Sequence, residues 1–404
     1  MLWDFRDFAR SAIRLIMKRD YTYIVLGLGG FGASAVYWLA RRAEGEVLGL
    51  EQFEIGHTRG SSQDHSRIIR LSYHTPAYVR LAGQAYPAWA ALEAEAGEKL
   101  IVRTGGLDFA PRASAIDMSP YAESMAACGV PFEEVDAAEI MRRWPQFRLS
   151  DDIHGLYQSE SGIAPAAKCN AAHLRLAREH GATLVERSPV TAIRDLGGEV
   201  EVVAGGEAYR CSKLIITAGA WSNYALAHFG LKLPLTITQE QVTYFASPRP
   251  ADFAPESFPI WIWLDVPCFY GFPAYGEPGP KAAEDVGGEE ATPETRNFEV
   301  NPAALQRVKD FLGRYIPGAL GPEITTRTCL YTIPPDRDFV IDALPGHPNC
   351  VIAVDAAHGF KFASLIGKML SELALDGATG SDIQPFRYDR PILHVENPPK
   401  QFMF

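Results

Sequence analysis

Gly27-x-Gly29-x-x-Gly32 and the acid Glu51 are the residues of this chain whose types and spacing point most directly to chemistry. Gly27 can take the φ values of a tight turn. Gly29, with Gly30 behind it, lets the backbone approach a pyrophosphate, and Gly32 lets a helix pack closely on its strand. The free N–H groups of the helix that follows complete an anion site. Glu51, 24 residues beyond Gly27, is placed to accept hydrogen bonds from a ribose 2′-OH, so FAD or NAD is favoured over a 2′-phosphorylated cofactor. Such a site has to be positioned by a βαβ unit. The flanking sequence supplies one: an apolar run from Tyr23 to Leu26, an amphipathic segment to about Arg42, and a second apolar run ending on Glu51.

The remaining elements follow from periodicity. Residues 77–97 predict a helix, 101–150 short strands and a helix, and 166–193 a helix and a strand. The buried strand of KLIITAGAWSN (213–223) ends in Ala218-Gly219-Ala220, which returns the chain to the ligand edge of a parallel sheet. The first domain therefore resumes after an insertion. A second domain over 231–325 contains the strand-like ITQEQVTYF and FPIWIWLDVPCFYGFP, and the Pro/Gly/Glu-rich stretch from Tyr275 to Thr295 reads as too polar for core. From Asn349 the α/β pattern returns. The expectation is an α/β chain of two domains. A Rossmann-type cofactor domain comprises 21–85, 150–230 and 325–393, and a mainly antiparallel substrate domain comprises 86–149 and 231–324.

The 404 residues are enough for two or three domains, and 47% apolar with 22% charged residues is the balance of a soluble globular chain. A net charge of −11 without a long basic run argues against nucleic acid and anionic membranes as partners. The six cysteines are scattered without metal-ligand spacing, which fits a reducing compartment rather than a disulfide framework or a zinc site. No apolar run reaches the 18 or more residues of a membrane span. Residues 1–20 are amphipathic and carry Asp4 and Asp7, which reads as a surface helix or as an extension ahead of a natural start at Met17, not as a targeting signal. The terminal Gln401-Phe402-Met403-Phe404 is no peroxisomal address, so a cytoplasmic location is the default expectation.

Four segments, taken in order, carry a resemblance: Gly27–Gly32 with Glu51, GSSQDHSRIIR, CLYTIPPDRDFVID and HGFKF. Together, from about Tyr21 to Leu393, they are similar to the monomeric sarcosine oxidase and N-methyltryptophan oxidase family. The larger group also holds pipecolate and fructosyl-amino-acid oxidases. The resemblance implies a glutathione-reductase-like FAD domain. It also implies a thioether from the Cys329 sulfur to the flavin 8-methyl carbon, and flavin contacts from Ser61, Arg67, Ala218, Gly219, His358, Gly359, Phe360 and Lys361. Arg70 and Lys361 would clamp a substrate carboxylate, each charge-assisted hydrogen bond contributing about 1.5–3 kcal/mol. A lysine at a helix N-terminus works against the macrodipole, which is itself a reason to look for function at Lys361. Lys281 would activate oxygen, since a fixed cation lowers the barrier to forming superoxide. Arg67 and Tyr331 take catalytic places beside it.

Several positions depart from the family pattern. Asp285 stands where a histidine is usual, four residues after Lys281, and its carboxylate could pair with that lysine. Gln63 replaces a histidine of the arginine loop beside the variable His65. Phe269-Tyr270 replaces a tyrosine pair and, with Trp261 and Trp263, belongs to the substrate domain; the two alternating tryptophans read more readily as core. The resemblance implies a monomeric oxidase of a secondary or N-alkylated amino acid, with a hydride equivalent passing to flavin N5, imine hydrolysis, and O2 reduced to H2O2. The rival readings are a dehydrogenase on the same fold serving an electron carrier, an NAD-linked dehydrogenase, and a non-catalytic flavin-binding protein.

Overall fold

A computed structural model describes residues 18–400, so the expectation for the N-terminal extension lies, over 1–17, outside the described residues. The βαβ unit forms as its pattern requires. Strand Asp20–Leu26 runs into helix Gly30–Ala43, and strand Val47–Leu50 returns parallel to the first. Ile24, Val25, Leu48 and Leu50 are fully buried because the sheet is covered on both faces. On its other side the first strand pairs in parallel with Glu207–Ile216, whose last residues pair in parallel with His347–Val354. Thr183–Val185 closes the far edge. Three chain segments thus build one eight-stranded sheet. Helix Gly30–Ala43 packs against Ala166–Glu179 and Ala363–Asp376.

The second sheet has nine strands and is antiparallel except where Gly106–Pro111 runs parallel to Ile260–Trp263. Its longest ladder joins Thr236–Phe245 to Glu323–Ile333. Two strands cross the boundaries expected from sequence: Ile153–Gln158 and Glu323–Ile333 pair within this sheet, although 150–230 and 325–393 were expected in the first domain. Both pair only within the second sheet, and strand partners between distant segments are not shown by periodicity. A three-stranded sheet of Arg67–Ile69, Val102–Arg103 and Gly162–Ala164 completes the strand set.

The polar stretch 275–295 also differs from its reading. Its centre, Lys281–Glu284, is a strand of the second sheet with Lys281, Ala282 and Ala283 buried. The lysine is tolerated there because its ammonium pairs with the buried Asp64 carboxylate, 3.0 Å away. All six cysteines are free thiols. No helix of the described residues is long and apolar enough to cross a membrane, and no group of three or more potential metal ligands occurs among them.

Candidate active site

A cavity of ≈ 490 Å³ opens at the carboxyl ends of the parallel strands and extends beneath the second sheet. One end is backbone. Gly27 has φ +87°, and a Cβ there would lie 2.6 Å from the Thr217 carbonyl oxygen; a Cβ on Gly32 would lie 1.7 Å from the Gly27 oxygen. Gly29 has no side chain to cap the helix, whose N-terminus lines the cavity. Glu51 is held rigidly: Oε2 accepts the Leu28 N–H at 2.9 Å and Oε1 the Phe53 N–H at 3.1 Å, with His57 Nε2 at 3.4 Å. Burial alone would raise its carboxyl. The His57 contact and the two amides outweigh that and hold it below its ordinary range. Ala218 and Gly219 line the same end. A glycine cradle, a helix N-terminus and a fixed carboxylate in one trench fit a dinucleotide with a free ribose hydroxyl.

The loop 56–66 lies along the trench. Ser61 Oγ donates to the Leu330 carbonyl and Gln63 Nε2 to that of Thr328 at 2.8 Å, so the loop grips the strand on either side of Cys329. It is Ser62, not anticipated from sequence, whose Oγ accepts the Gly30 N–H at 2.8 Å. Arg67 donates to the carbonyls of Ser66 and Ser61, each at 2.8 Å. Cys329 shares its strand face with Tyr331, which lines the cavity, while Cys329 itself is 7% exposed. Burial pushes its thiol up to about 11, opposed by the Arg67 charge.

The far end is charged. Lys361 sits in the 3₁₀ turn Gly359–Phe362 just before helix Ala363–Asp376, with Nζ donating to the His358 carbonyl at 2.9 Å. Burial, then the Arg70 charge, brings its ammonium down to about 7. Asp355 Oδ1 fixes the turn by accepting the N–H groups of Ala356 at 2.7 Å and Gly359 at 2.8 Å. His358 and Phe360 line the wall, and burial holds the His358 imidazole well below its ordinary value. Arg70 reaches this end already paired, with Nη1 at 3.2 Å from both oxygens of Asp108. Burial lifts the Asp108 carboxyl above its usual range even with Arg70 beside it, so the pair is costly to hold dry.

Two sequence expectations are corrected here. Asp285 does not pair with Lys281. It accepts from Arg337 at 2.7 Å and lies 3.5 Å from the Tyr331 hydroxyl, while Lys281 binds Asp64 at 3.0 Å. Phe269 does not face the cavity. Strand alternation turns it to the other side, where it stacks on Phe311 at 4.6 Å in a core with Trp261 and Trp263. Tyr270 and Phe272, on the opposite face, line the cavity with Ile262, Leu264 and Cys268. Of the expected residues, the structure thus brings together the glycines, Glu51, Ser61, Arg67, Arg70, Ala218, Gly219, Tyr270, Lys281, Tyr331 and the 358–361 turn, while Cys329, two residues before Tyr331 on the same strand, is not among the lining residues.

A dinucleotide trench that ends in paired arginines and a buried lysine under an antiparallel sheet defines an FAD-dependent oxidoreductase. The comparisons agree. The family of FAD dependent oxidoreductases matches residues 22–373, and the chain belongs to it. It is 36% identical over 379 residues to monomeric sarcosine oxidase of Streptomyces avermitilis, covering 92% of this chain and 97% of that one. It is 31% identical to human peroxisomal sarcosine oxidase, covering 91% and 95%. It is also 31% identical to N-methyl-L-tryptophan oxidase of Salmonella arizonae, covering 92% and 99%. Among solved structures, NikD, described as an unusual amino acid oxidase essential for nikkomycin biosynthesis, superposes with a TM-score of 0.83 at 26% identity, covering 94% and 100%.

Proposed function

We propose that this protein oxidises the C–N bond of a secondary or N-methyl amino acid and passes the electrons to O2. The observation that carries the reading is the end of the cavity where Lys361 and Arg70 stand beside an apolar wall of Ile262, Leu264, Tyr270 and Phe272. Bound FAD would supply the two-electron acceptor; the chain supplies recognition and electrostatics. Lys361 holds a substrate carboxylate as the point charge of this end, with Arg70 oriented beside it by Asp108. The apolar wall receives the N-alkyl side and excludes water from the reacting carbon. No strong base is required when the amine enters neutral, so flavin reduction should quicken as pH rises through the amine's titration. Lys281 stands on the cavity wall as the cation for the oxygen step. Cys329, on the strand whose Thr328 and Leu330 carbonyls are bonded by Gln63 and Ser61, is the proposed covalent anchor of the cofactor.

The names of the relatives support this reading, since those at 31–36% identity are called oxidases of sarcosine and N-methyl-L-tryptophan. Lys281→Met tests the oxygen step. It should slow reoxidation by O2 severely and leave anaerobic reduction by substrate within a few-fold of the parent. An unchanged oxygen step would remove the Lys281 role, and a parent whose reduced flavin reacts only sluggishly with O2 would move the protein to the dehydrogenase reading.

A further inference from the structure

Lys281 enters the cavity wall with two of its three N–H groups already used. Nζ donates to Asp64 Oδ2 at 3.0 Å and to the Ser66 carbonyl at 2.8 Å, and it stands 4.2 Å from the centroid of the Phe272 ring. Lys281 also lines the cavity. Asp64 is an unusual residue to find holding it. Its backbone sits at φ +83°, a left-handed conformation that favours glycine, and its side chain is buried. The carboxylate is saturated: Oδ1 accepts the Tyr244 hydroxyl at 2.9 Å and Arg327 Nη1 at 2.6 Å, and Arg67 Nη1 lies 3.6 Å from Oδ2. A buried carboxylate at a left-handed position is the kind of outlier that points to a role for its charge.

We propose that Asp64 is the positioning residue of Lys281, keeping its ammonium protonated beside Arg67 and aiming its remaining N–H into the cavity. The inference rests on the reading of Lys281 as the cation of the oxygen step. The groups around the ammonium are Asp64 on the loop, Arg67 at the start of the strand that follows it, Tyr244 on the neighbouring strand, and Arg327 and Cys329 on the long strand. Arg327 is further paired with Glu277. Burial lifts the Tyr244 hydroxyl and the Cys329 thiol, so both are neutral near pH 7. Asp64 is therefore the anion that touches Lys281. Desolvation followed by Arg67 pulls the lysine down, to about 8 even with Asp64 opposing them. Without the carboxylate, a dry wall and a neighbouring guanidinium both favour the neutral amine, which offers no charge to the oxygen step.

The test is reoxidation of substrate-reduced holoenzyme by O2 from pH 6 to pH 8 in Asp64→Asn. Asp64→Gly is the second variant, since glycine relieves the left-handed backbone while removing the carboxylate. The oxygen rate constant should fall about tenfold or more across that window in either variant and less than about threefold in the parent, because a group titrating inside the window changes its charged fraction about tenfold per pH unit. Anaerobic reduction should stay within about threefold. A readout independent of turnover is the thermal unfolding of Asp64→Asn, Lys281→Met and the double variant, whose midpoint losses should be less than additive for two contacting residues. Parallel pH profiles in parent and variants, or strictly additive midpoint losses, would overturn the inference. If Lys281→Met leaves the oxygen step unchanged, the reading of Lys281 itself is wrong. If Lys281→Met is slow at every pH while both Asp64 variants behave as the parent, only the role of Asp64 is lost.

Discussion

If Lys361 is the carboxylate site proposed above, its strength should depend on pH. Burial and then the Arg70 charge favour the neutral amine and bring its ammonium down to about 7. A bound carboxylate interacts with the protonated form, so ligand binding raises that pKa, and affinity is complete below the ligand-free value and lost above it. With a free pKa of about 7, the charged fraction falls from about nine-tenths at pH 6 to about one-tenth at pH 8, an approximately tenfold weakening or ~1.4 kcal/mol. His358 does not blur this window, since its imidazole is held neutral by burial. Acetate is a suitable probe because it carries no amine and is fully ionised throughout, and its binding can be read from the flavin absorbance. Lys361→Met should weaken acetate at pH 6 by about 10- to 150-fold, the equivalent of one charge-assisted hydrogen bond of ~1.5–3 kcal/mol, and should flatten the profile. Acetate affinity that is level from pH 6 to pH 8 in the parent, or a slope that survives Lys361→Met, would refute the assignment.

Three further outcomes follow from the same geometry. After acid precipitation the parent protein should keep its yellow colour in the pellet and Cys329→Ser should release it to the supernatant; equal partition would remove the covalent anchor. Gly32→Ala would place a Cβ 1.7 Å from the Gly27 oxygen, so the purified variant should be colourless with its circular dichroism largely kept, and a yellow variant would contradict the cradle. Asp108→Asn leaves Arg70 without its carboxylate partner in a buried site, with side chains 6% and 4% exposed, and should lower the unfolding free energy by ~3–5 kcal/mol in urea titration; a loss under ~1 kcal/mol would mean that the pair carries little of the site's integrity.

The cofactor end was legible in sequence because its chemistry is local. Gly27, Gly29, Gly32 and Glu51 lie within one βαβ unit whose periodicity shows both strands and the helix, and Lys361 is marked by an adjoining turn and helix. The charged partners were not legible, because each is set by a contact between distant segments. Asp64 meets Lys281 across 217 residues of chain and Asp108 meets Arg70 across 38. Lys281 itself sits in a stretch so polar that its burial is intelligible only once Asp64 is seen beneath it. Phe269 and Tyr270 show a subtler limit: a strand was expected at both, but which of two adjacent aromatics faces the cavity depends on which face of the sheet is covered by helix Pro302–Tyr315, the helix that carries Phe311. Ser61 and Ser62 pose the same ambiguity in a loop, where no periodicity applies.

The central claim is that the cavity oxidises secondary amino acids, and anaerobic mixing tests it most directly. The purified yellow protein would be combined without oxygen with sarcosine, N-methyl-L-tryptophan, L-proline and L-pipecolate in turn, and air then admitted with a peroxide assay running. The account predicts that at least one of these bleaches the flavin absorbance and that air restores it with release of hydrogen peroxide. FAD-loaded protein that none of the four bleaches would contradict it.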